Sequence, residues 1–299
     1  MENSKNISTV KGMRSNFWSN LTNRMYGTVE FVFKLSGLYD RGKSNALDIH
    51  VNDIDIHIPS LPSELEGYRI LHLTDLHIDA IEGLDKKLSS ILENTEADLC
   101  VMTGDYREAD YGGCSDVMPM IERVIEYIDC PDGIYAVLGN HDTHEMVVPF
   151  ENMGVCMLVN ETSVLSVRGQ KLLLSGTDDV QCYFTNNAIR TLTTAPDGLK
   201  VALVHSPELA GIAAECDFDL YLCGHTHAGQ ICLPGGRPII THLNQHHELA
   251  SGRWEFKGMQ GYTGPGVGTS GMPIRFFTRP EITRLTLRSS TITSLGQKF

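Results

Sequence analysis

The sequence lacks any run of about 18 apolar residues, so no stretch is long enough to span a bilayer as a helix. It also lacks a C-x-x-C pair: its eight cysteines, at 100, 114, 130, 156, 182, 216, 223 and 232, are scattered. Several lie inside apolar runs such as "ADLCVMTGD", where a free thiol behaves as a small hydrophobe. Disulfide frameworks belong to short secreted chains, so a reduced, cytoplasmic interior is expected. Cations are scarce: 24 Lys and Arg against 37 Asp and Glu give a net charge of −13. That balance disfavours non-specific nucleic-acid binding, which needs many cations at phosphates. It does not disfavour a phosphorylated substrate, because a bound metal supplies local positive charge. An apolar secretory signal, internal repeats and low-complexity segments are absent too. The expectation is a cytoplasmic protein, soluble or at most peripheral on the inner face of a membrane.

What is present begins with a polar stretch over 1–14, expected to fray. From Phe17 an apolar set recurs at Leu21, Met25, Val29 and Val32, with Trp18, Tyr26 and Phe33 alongside and Arg14, Arg24 and Lys34 between. That is roughly helical spacing. Two readings are open: a helix packed on the domain, or an amphipathic segment lying on a membrane. We divide the chain into this partly helical segment, 1–45, and a single domain over 46–299. Alternation at Leu47, Ile49 and Val51 slips at Asn52–Asp53 and resumes at Ile54, Ile56 and Ile58, predicting two antiparallel strands or one bulged strand.

From residue 68 short continuous apolar runs replace alternation: "YRILHLTD", "ADLCVMTGD", "GIYAVLGNHD", "KVALVH" and "DLYLCGH". Such runs suit strands covered on both faces. Helix-compatible segments, "GLDKKLSSILENTE" and "DVMPMIERVIEYID", separate the first three and suggest βαβ units. Residues 155–179 read as adjacent strands with tight turns, and "RPIITHL" onward is also strand-like. The predicted fold class is α/β, with two packed mixed sheets flanked by helices.

Each of the five runs ends in residue types with metal-ligand chemistry. They are Asp75 and His77, then Asp105, then Asn140, His141 and Asp142, then His205, then His225 and His227. Ligands of open α/β folds gather at the carboxyl ends of strands, so five scattered segments can converge on one point. Two divalent ions held close together need a bridging carboxylate and several neutral donors on each side. Imidazole with carboxylate suits Mn, Fe, Zn or Ni better than Mg or Ca. Asp75 and His77, two apart in an extended segment, point to one side, and His225 and His227 share that spacing.

The order D-x-H, G-D-x-x-[DE], G-N-H-D, a lone His and G-H-x-H resembles the calcineurin-like metallophosphoesterases over about 67–285. The tail "GPGVGTSGMPIRFFTRPEIT" and "GTDD" at 176–179 are similar to the YkuE-like bacterial branch. The resemblance implies an α/β/β/α sandwich holding two divalent metal ions, manganese foremost. One ion takes Asp75, His77, Asp105 and His227; the other takes Asp105, Asn140, His205 and His225. A hydroxide bridging both ions would attack phosphorus, with His141 stabilising or protonating the leaving oxygen and Glu108 orienting His141. Two positions depart from the pattern: Ala228 stands where the branch usually has Gly, and Glu108-Ala109 replaces the Asp-Arg common in the wider superfamily. Loss of that phosphate-gripping arginine turns the expectation from monoesters to phosphodiester or pyrophosphate bonds.

The resemblance extends to enzymes that cleave UDP-2,3-diacylglucosamine in lipid A synthesis, which makes a lipid-linked substrate and peripheral membrane contact one form of the expectation. A general soluble phosphodiesterase is the second, and a non-catalytic scaffold the third; filled ligand positions weigh against the scaffold. His144, His242, His246 and His247 are left outside the metal set; "THLNQHHELASGRWEFKG" either lines the substrate mouth or forms a polar rim. The GTSG segment either approaches the site through its backbone or is plain turn chemistry.

Overall fold

Continuous apolar runs need cover on both faces, and this chain supplies it by stacking two sheets. A computed structural model describes residues 27–109 and 112–289. The first sheet contains β1 (His50–Ile58), β2 (Arg69–Leu73), β3 (Leu99–Met102), β4 (Ile134–Ala136) and β5 (Val155–Met157). The second contains β6 (Glu161–Val167), β7 (Gln170–Gly176), β8 (Leu199–Leu203) and β9 (Leu220–Cys223). A short ribbon, β10 (Cys232–Leu233) with β11 (Arg237–Pro238), precedes β12 (Gly252–Phe256) and β13 (Met259–Thr263) of the second sheet, and β14 (Glu281–Ser289) returns to the first. The strand orders are β1-β14-β2-β3-β4-β5 and β12-β13-β9-β8-β7-β6. Strands β2 to β5 run parallel, as do β7, β8, β9 and β13, whereas β14 opposes β2. Both sheets are therefore mixed, as expected.

Period-two alternation explains why the runs are apolar throughout. In β3, Leu99 and Val101 join the core between the sheets, while Cys100 and Met102 face the outer helices. In β9, Leu220 and Leu222 point inward, and Tyr221 and Cys223 face outward. Full burial of each such side chain stabilises the fold by roughly 1.5–3 kcal/mol. Helix α3 (Leu84–Leu92) covers the first sheet through Leu84, Leu88 and Leu92, four residues apart, and α4 (Met118–Ile125) through Ile121, Val124 and Ile125. Helix α5 (Val147–Asn152) buries Phe150 on the same side. The second sheet is covered by α6 (Asn186–Thr193) through Ala188 and Leu192, and by α7 (Ala210–Glu215) through Ala210 and Ala213.

Three local expectations change. Residues 50–58 form one unbroken strand in continuous parallel register with β14, with neither bulge nor second strand. Being at the edge, β1 holds Asn52 and Asp53 without burying them, and the hydrophobic slip costs no register. Residues 155–176 are three strands, but only β6 and β7 form a hairpin; β5 pairs with β4, so the chain changes sheets between Met157 and Glu161. In "RPIITHL" the strand stops after Pro238, leaving Ile239 and Ile240 exposed, and regular pairing resumes at Gly252.

Ahead of β1, residues 27–35 are helical (α1), followed by α2 (Tyr39–Ala46). The expected apolar positions over 17–26 lie outside the described residues. Both open readings find a foothold in α1. Phe33 stacks on Phe276 with centroids 5.0 Å apart, whereas Phe31, Val32 and Leu35 are exposed. Helix α2 lies so close to the chain at Ile274 and Phe276 that a Cβ on Gly42 would meet Ile274 at 2.7 Å. Among the described residues no helix is long and apolar enough to cross a membrane.

Candidate metal centre

Five strands, β2, β3 and β4 from one sheet and β8 and β9 from the other, deliver their following residues to one point. The backbone does not continue extended there. Asp75 (φ 49°), His77 (35°), Asp105 (58°), His225 (73°) and His227 (50°) all lie in the left-handed region. That conformation is unfavourable for residues with a Cβ, roughly 1–2 kcal/mol each, and such strain collects at functional sites. The extended geometry expected for Asp75–His77 and His225–His227 is thus replaced by tight turns. They are held by backbone bonds: the amide of Asp75 donates to Gly104 (2.9 Å), His77 to Asp105 (3.0 Å) and Ile78 to Tyr106 (3.1 Å). Gly224 is obligatory, because a methyl group there would overlap Thr74 and the Asp75 carboxylate. Ala228, where the sequence departs from its nearest pattern, is itself left-handed at φ 48°.

The turns bring all seven expected ligands together in two donor sets. In the first, His227 Nε2 lies 3.4 Å from Asp75 Oδ1 and 3.2 Å from His77 Nε2, which is 3.6 Å from Asp105 Oδ2. In the second, His205 Nε2 lies 3.2 Å from Asp105 Oδ2, 3.2 Å from His225 Nδ1 and 3.1 Å from Asn140 Oδ1. Asn140 Oδ1 is also 2.8 Å from His225 Nδ1. Asp105 Oδ2 is common to both sets. An ion with bonds of about 2.1 Å spaces neighbouring ligands at about 3.0 Å in an octahedron and about 3.4 Å in a tetrahedron. The observed separations straddle those values, and the donors are buried imidazole and carboxylate atoms, with the half-buried Asn140 amide oxygen, of the kinds that divalent transition metals take.

Ring orientation is fixed from behind. His205 Nδ1 sits 2.7 Å from the Thr103 carbonyl, which selects the tautomer with Nε2 free. His77 Nδ1 lies 2.9 Å from Glu108 Oε2, leaving Nε2 toward the donor set. His225 Nε2 is 2.9 Å from the Gln181 amide. The Glu108 side chain therefore reaches His77 rather than His141. His141 Nδ1 meets the main-chain carbonyl of Glu108, and its ring stands edge-on to His77 at 4.8 Å.

Electrostatics favour cations. Burial pushes the Asp105 carboxyl up, but His205, His141 and His77 outweigh it and hold the group well below its usual range. Burial works against charge on His77 as well, yet Glu108 and Asp105 lift it to about 9; Asp105 likewise lifts His205 well above its ordinary value. Burial first, with His205 next, lowers His225 to about 3; burial, His77 and Arg275 lower His227 well below its ordinary value. Neutral imidazole is the form that ligates metal, so His225 and His227 are disposed to it, whereas His77 and His205 must release a proton to an incoming ion.

A family model for calcineurin-like phosphoesterases matches residues 68–229, more than half of the chain and every donor just described. The chain belongs to this family. It is 29% identical over 241 residues to the uncharacterised metallophosphoesterase YkuE of Bacillus subtilis (strain 168), covering 77% of this chain and 82% of YkuE. YkoQ of the same organism, also an uncharacterised metallophosphoesterase, is 26% identical over 266 residues, covering 81% and 92%. Phosphodiesterase YaeI of Escherichia coli (strain K12) is 26% identical over 227 residues, covering 74% and 82%. As a calcineurin-like phosphoesterase, the protein belongs with metal-dependent hydrolases of phosphoesters.

Three residues of this phosphoesterase support the ligands. Asp142 ends one of the sequence runs as a candidate ligand but falls in neither donor set, and Arg107 and Arg275 were not singled out from the sequence. Asp142, fully buried, accepts the amides of Asp105 (2.8 Å), Tyr106 (2.9 Å) and Gly139 (2.7 Å), tying two ligand turns together. Arg107, also buried, donates to the His141 carbonyl at 2.9 Å and to those of Gly112 (2.9 Å) and Gly113 (3.1 Å). Arg275, beyond the family match, is fully buried and donates to the carbonyls of Pro265 (2.7 Å), Gly266 (3.1 Å) and Gly268 (2.6 Å). Its guanidinium lies 3.4 Å from His227 Nδ1. This loop carries the GTSG segment and approaches the site through its backbone, the amides of Val267 and Gly268 donating to Thr74 (3.1 Å) and Asp75 (2.8 Å). His144, His242, His246 and His247 fall in none of the candidate metal-holding groups among the described residues. The carbonyl of His242 accepts from Gln181 at 3.2 Å.

Proposed function

We propose that this phosphoesterase hydrolyses phosphodiester or pyrophosphate bonds with two divalent ions. The observation that carries the reading is the single oxygen, Asp105 Oδ2, within reach of both donor sets (3.6 Å from His77 Nε2, 3.2 Å from His205 Nε2). Asp75, His77, His227 and Asp105 hold one ion; Asp105, Asn140, His205 and His225 hold the other. Bound there, the ions supply Lewis-acid stabilisation of phosphoryl charge and a lowered pKa for water. Manganese is the ion we propose, with Fe, Zn and Ni as the alternatives; carboxylate and amide oxygens suit Mn, and imidazole suits the other three. With Nδ1–H held by the Glu108 carbonyl, His141 would have to carry a second proton on Nε2, which it gives to the leaving oxygen, returning to the neutral ring. Ala109, where an arginine would grip a monoester dianion, and the similarity to phosphodiesterase YaeI both support a diester or pyrophosphate. The test loads purified protein with Mn and compares turnover of a diester, a monoester and a nucleotide-sugar lipid. Preference for the monoester, or no turnover of any substrate at full metal loading, would contradict the reading.

A lipid-linked substrate such as UDP-2,3-diacylglucosamine is the second form, and exposed apolar side chains favour it. Phe31, Val32 and Leu35 on α1 are uncovered, and Phe33 anchors that helix on Phe276, next to exposed Phe277. Ile239 and Ile240 are further exposed apolar side chains. A face of this kind allows reversible docking on a bilayer, where the phosphates of a lipid-linked substrate are displayed. Vesicle co-sedimentation and lipid-substrate turnover after changing Phe31, Val32 and Leu35 to Ser test it. Unchanged binding and turnover would leave the soluble diesterase as the better form.

A further inference from the structure

We infer that Glu108 is the positioning residue of His77, and that with Gln230 it clips the 268–272 turn onto the first donor set, leaving His141 to the main chain. The inference rests on the dinuclear reading above and concerns how this chain builds one of the two sites.

Three polar atoms of Glu108 are hydrogen-bonded, and the fourth, Oε2, makes a close contact with His77 Nδ1 that lacks hydrogen-bond geometry. The Glu108 amide donates to Asp79 Oδ1 at 2.7 Å, and its carbonyl meets His141 Nδ1. Oε2 lies 2.9 Å from His77 Nδ1, and Oε1 accepts the amide of Gly271 at 2.7 Å. One carboxylate thus joins a buried ligand to a turn 163 residues away in sequence. The same turn is held from its other side by Gln230. The Gln230 amide donates to the carbonyls of Ser270 (3.0 Å) and Met272 (2.9 Å), and its oxygen accepts the Ser270 amide at 2.8 Å. Gln230 follows His227 by three residues, and its own amide donates to the His227 carbonyl at 2.9 Å. Between these anchors, Gly268 lies so close that a Cβ would overlap the Leu76 carbonyl and touch His77 Cβ at 3.0 Å. Two ligands of the first set, His77 and His227, are therefore tied to one turn, each by one polar side chain. The residues of the second set have other supports, the Thr103 carbonyl for His205 and Gln181 for His225.

The arrangement separates two roles that a carboxylate at this position could have. If Glu108 acted on His141, its loss would be felt in proton donation to poor leaving groups. Acting on His77, its loss is felt in metal affinity, because partners behind a ligating imidazole typically set affinity by about 10–100-fold. Glu108→Gln keeps the main-chain carbonyl that meets His141 and cannot satisfy both His77 Nδ1–H and the Gly271 amide with one oxygen.

The experiment is a Mn titration of metal-free full-length protein by calorimetry, for wild type, Glu108→Gln and Gln230→Ala, with circular dichroism to verify folding. Turnover is measured in parallel on diesters with good and poor leaving groups. Wild type is expected to take two ions. Both variants should bind one ion about 10–100-fold more weakly and the other as wild type does, with the wild-type ratio of rates between good and poor leaving groups. Gln230→Ala touches neither His77 nor His141, so it tests the clip even if Glu108→Gln fails to fold. Two unchanged affinities in a folded variant, or a Glu108→Gln enzyme that loses rate only on poor leaving groups, would overturn the inference alone. A wild type that takes fewer than two ions would overturn the dinuclear reading and the inference with it.

Discussion

The buried carboxylate of Asp142 receives the main-chain amide of Asp105 at 2.8 Å. Because the same carboxylate also takes the amides of Tyr106 and Gly139, it joins the turns carrying Asp105 and Asn140. Asp142→Ala would leave three buried N–H groups without acceptors. Each costs roughly 1–3 kcal/mol, so we expect a loss of at least about 3 kcal/mol in chemical unfolding, together with weaker metal binding. A variant with wild-type stability and metal content would show that water or rearrangement replaces the carboxylate.

His141→Ala should retain both ions and lose about a hundredfold or more in rate on a diester with a poor leaving group. A nitrophenyl diester, whose leaving group hardly needs a proton, should lose much less. Equal losses on both substrates would remove the proton-donor role.

Arg275→Lys should destabilise the protein by at least about 2 kcal/mol despite keeping the charge. The planar guanidinium serves three loop carbonyls at once, and a single ammonium point cannot reproduce that fork. Urea unfolding checks this; a change under about 0.5 kcal/mol, typical of surface positions, would contradict it.

How much of this was legible in the sequence differs from residue to residue. The five strand ends were legible because apolar runs stop abruptly at Asp75, Asp105, Asn140, His205 and His225, where neither core packing nor ordinary turn chemistry calls for these residues. The two-sheet fold followed from runs apolar on both faces. The left-handed backbone at Asp75, His77, Asp105, His225 and His227 was not legible, because sequence marks that conformation reliably only through glycine. Arg275 carried a faint signal, a lone arginine in the apolar stretch "GMPIRFF", but its partners are carbonyls, which every sequence offers everywhere. Glu108 sat in the right motif, yet whether its side chain turns to His77 or His141 depends on where Gly271 lies, a contact across 163 residues. Ile239 and Ile240 read as strand from composition, and nothing local records that no neighbouring strand pairs with them.

Asp179, which lies within the electrostatic reach of His205 and Asp105 but in neither donor set, gives a pH signature. Its carboxyl is fully buried, accepts the amides of Gln181 (2.9 Å) and Cys182 (2.6 Å), and is pushed up to about 6, chiefly by burial. A carboxyl raised in the folded state favours folding while protonated. Its contribution is full below the unfolded value near 4 and is lost as pH rises through about 6. In metal-free protein, wild-type stability minus that of Asp179→Asn should therefore fall by up to about 3 kcal/mol between pH 4 and pH 6.5, then level off. A flat difference over that interval, from urea unfolding of both proteins, would contradict the assignment.

The most direct test of the dinuclear centre is metal stoichiometry at Asp105. Wild type and Asp105→Asn are stripped, reloaded with Mn and assayed by elemental analysis beside diester turnover. A neutral amide cannot bridge two dications as a carboxylate does, so we predict two ions per chain in wild type. The variant should hold at most one, with nearly all turnover lost. Two ions and ordinary turnover in Asp105→Asn would contradict the account.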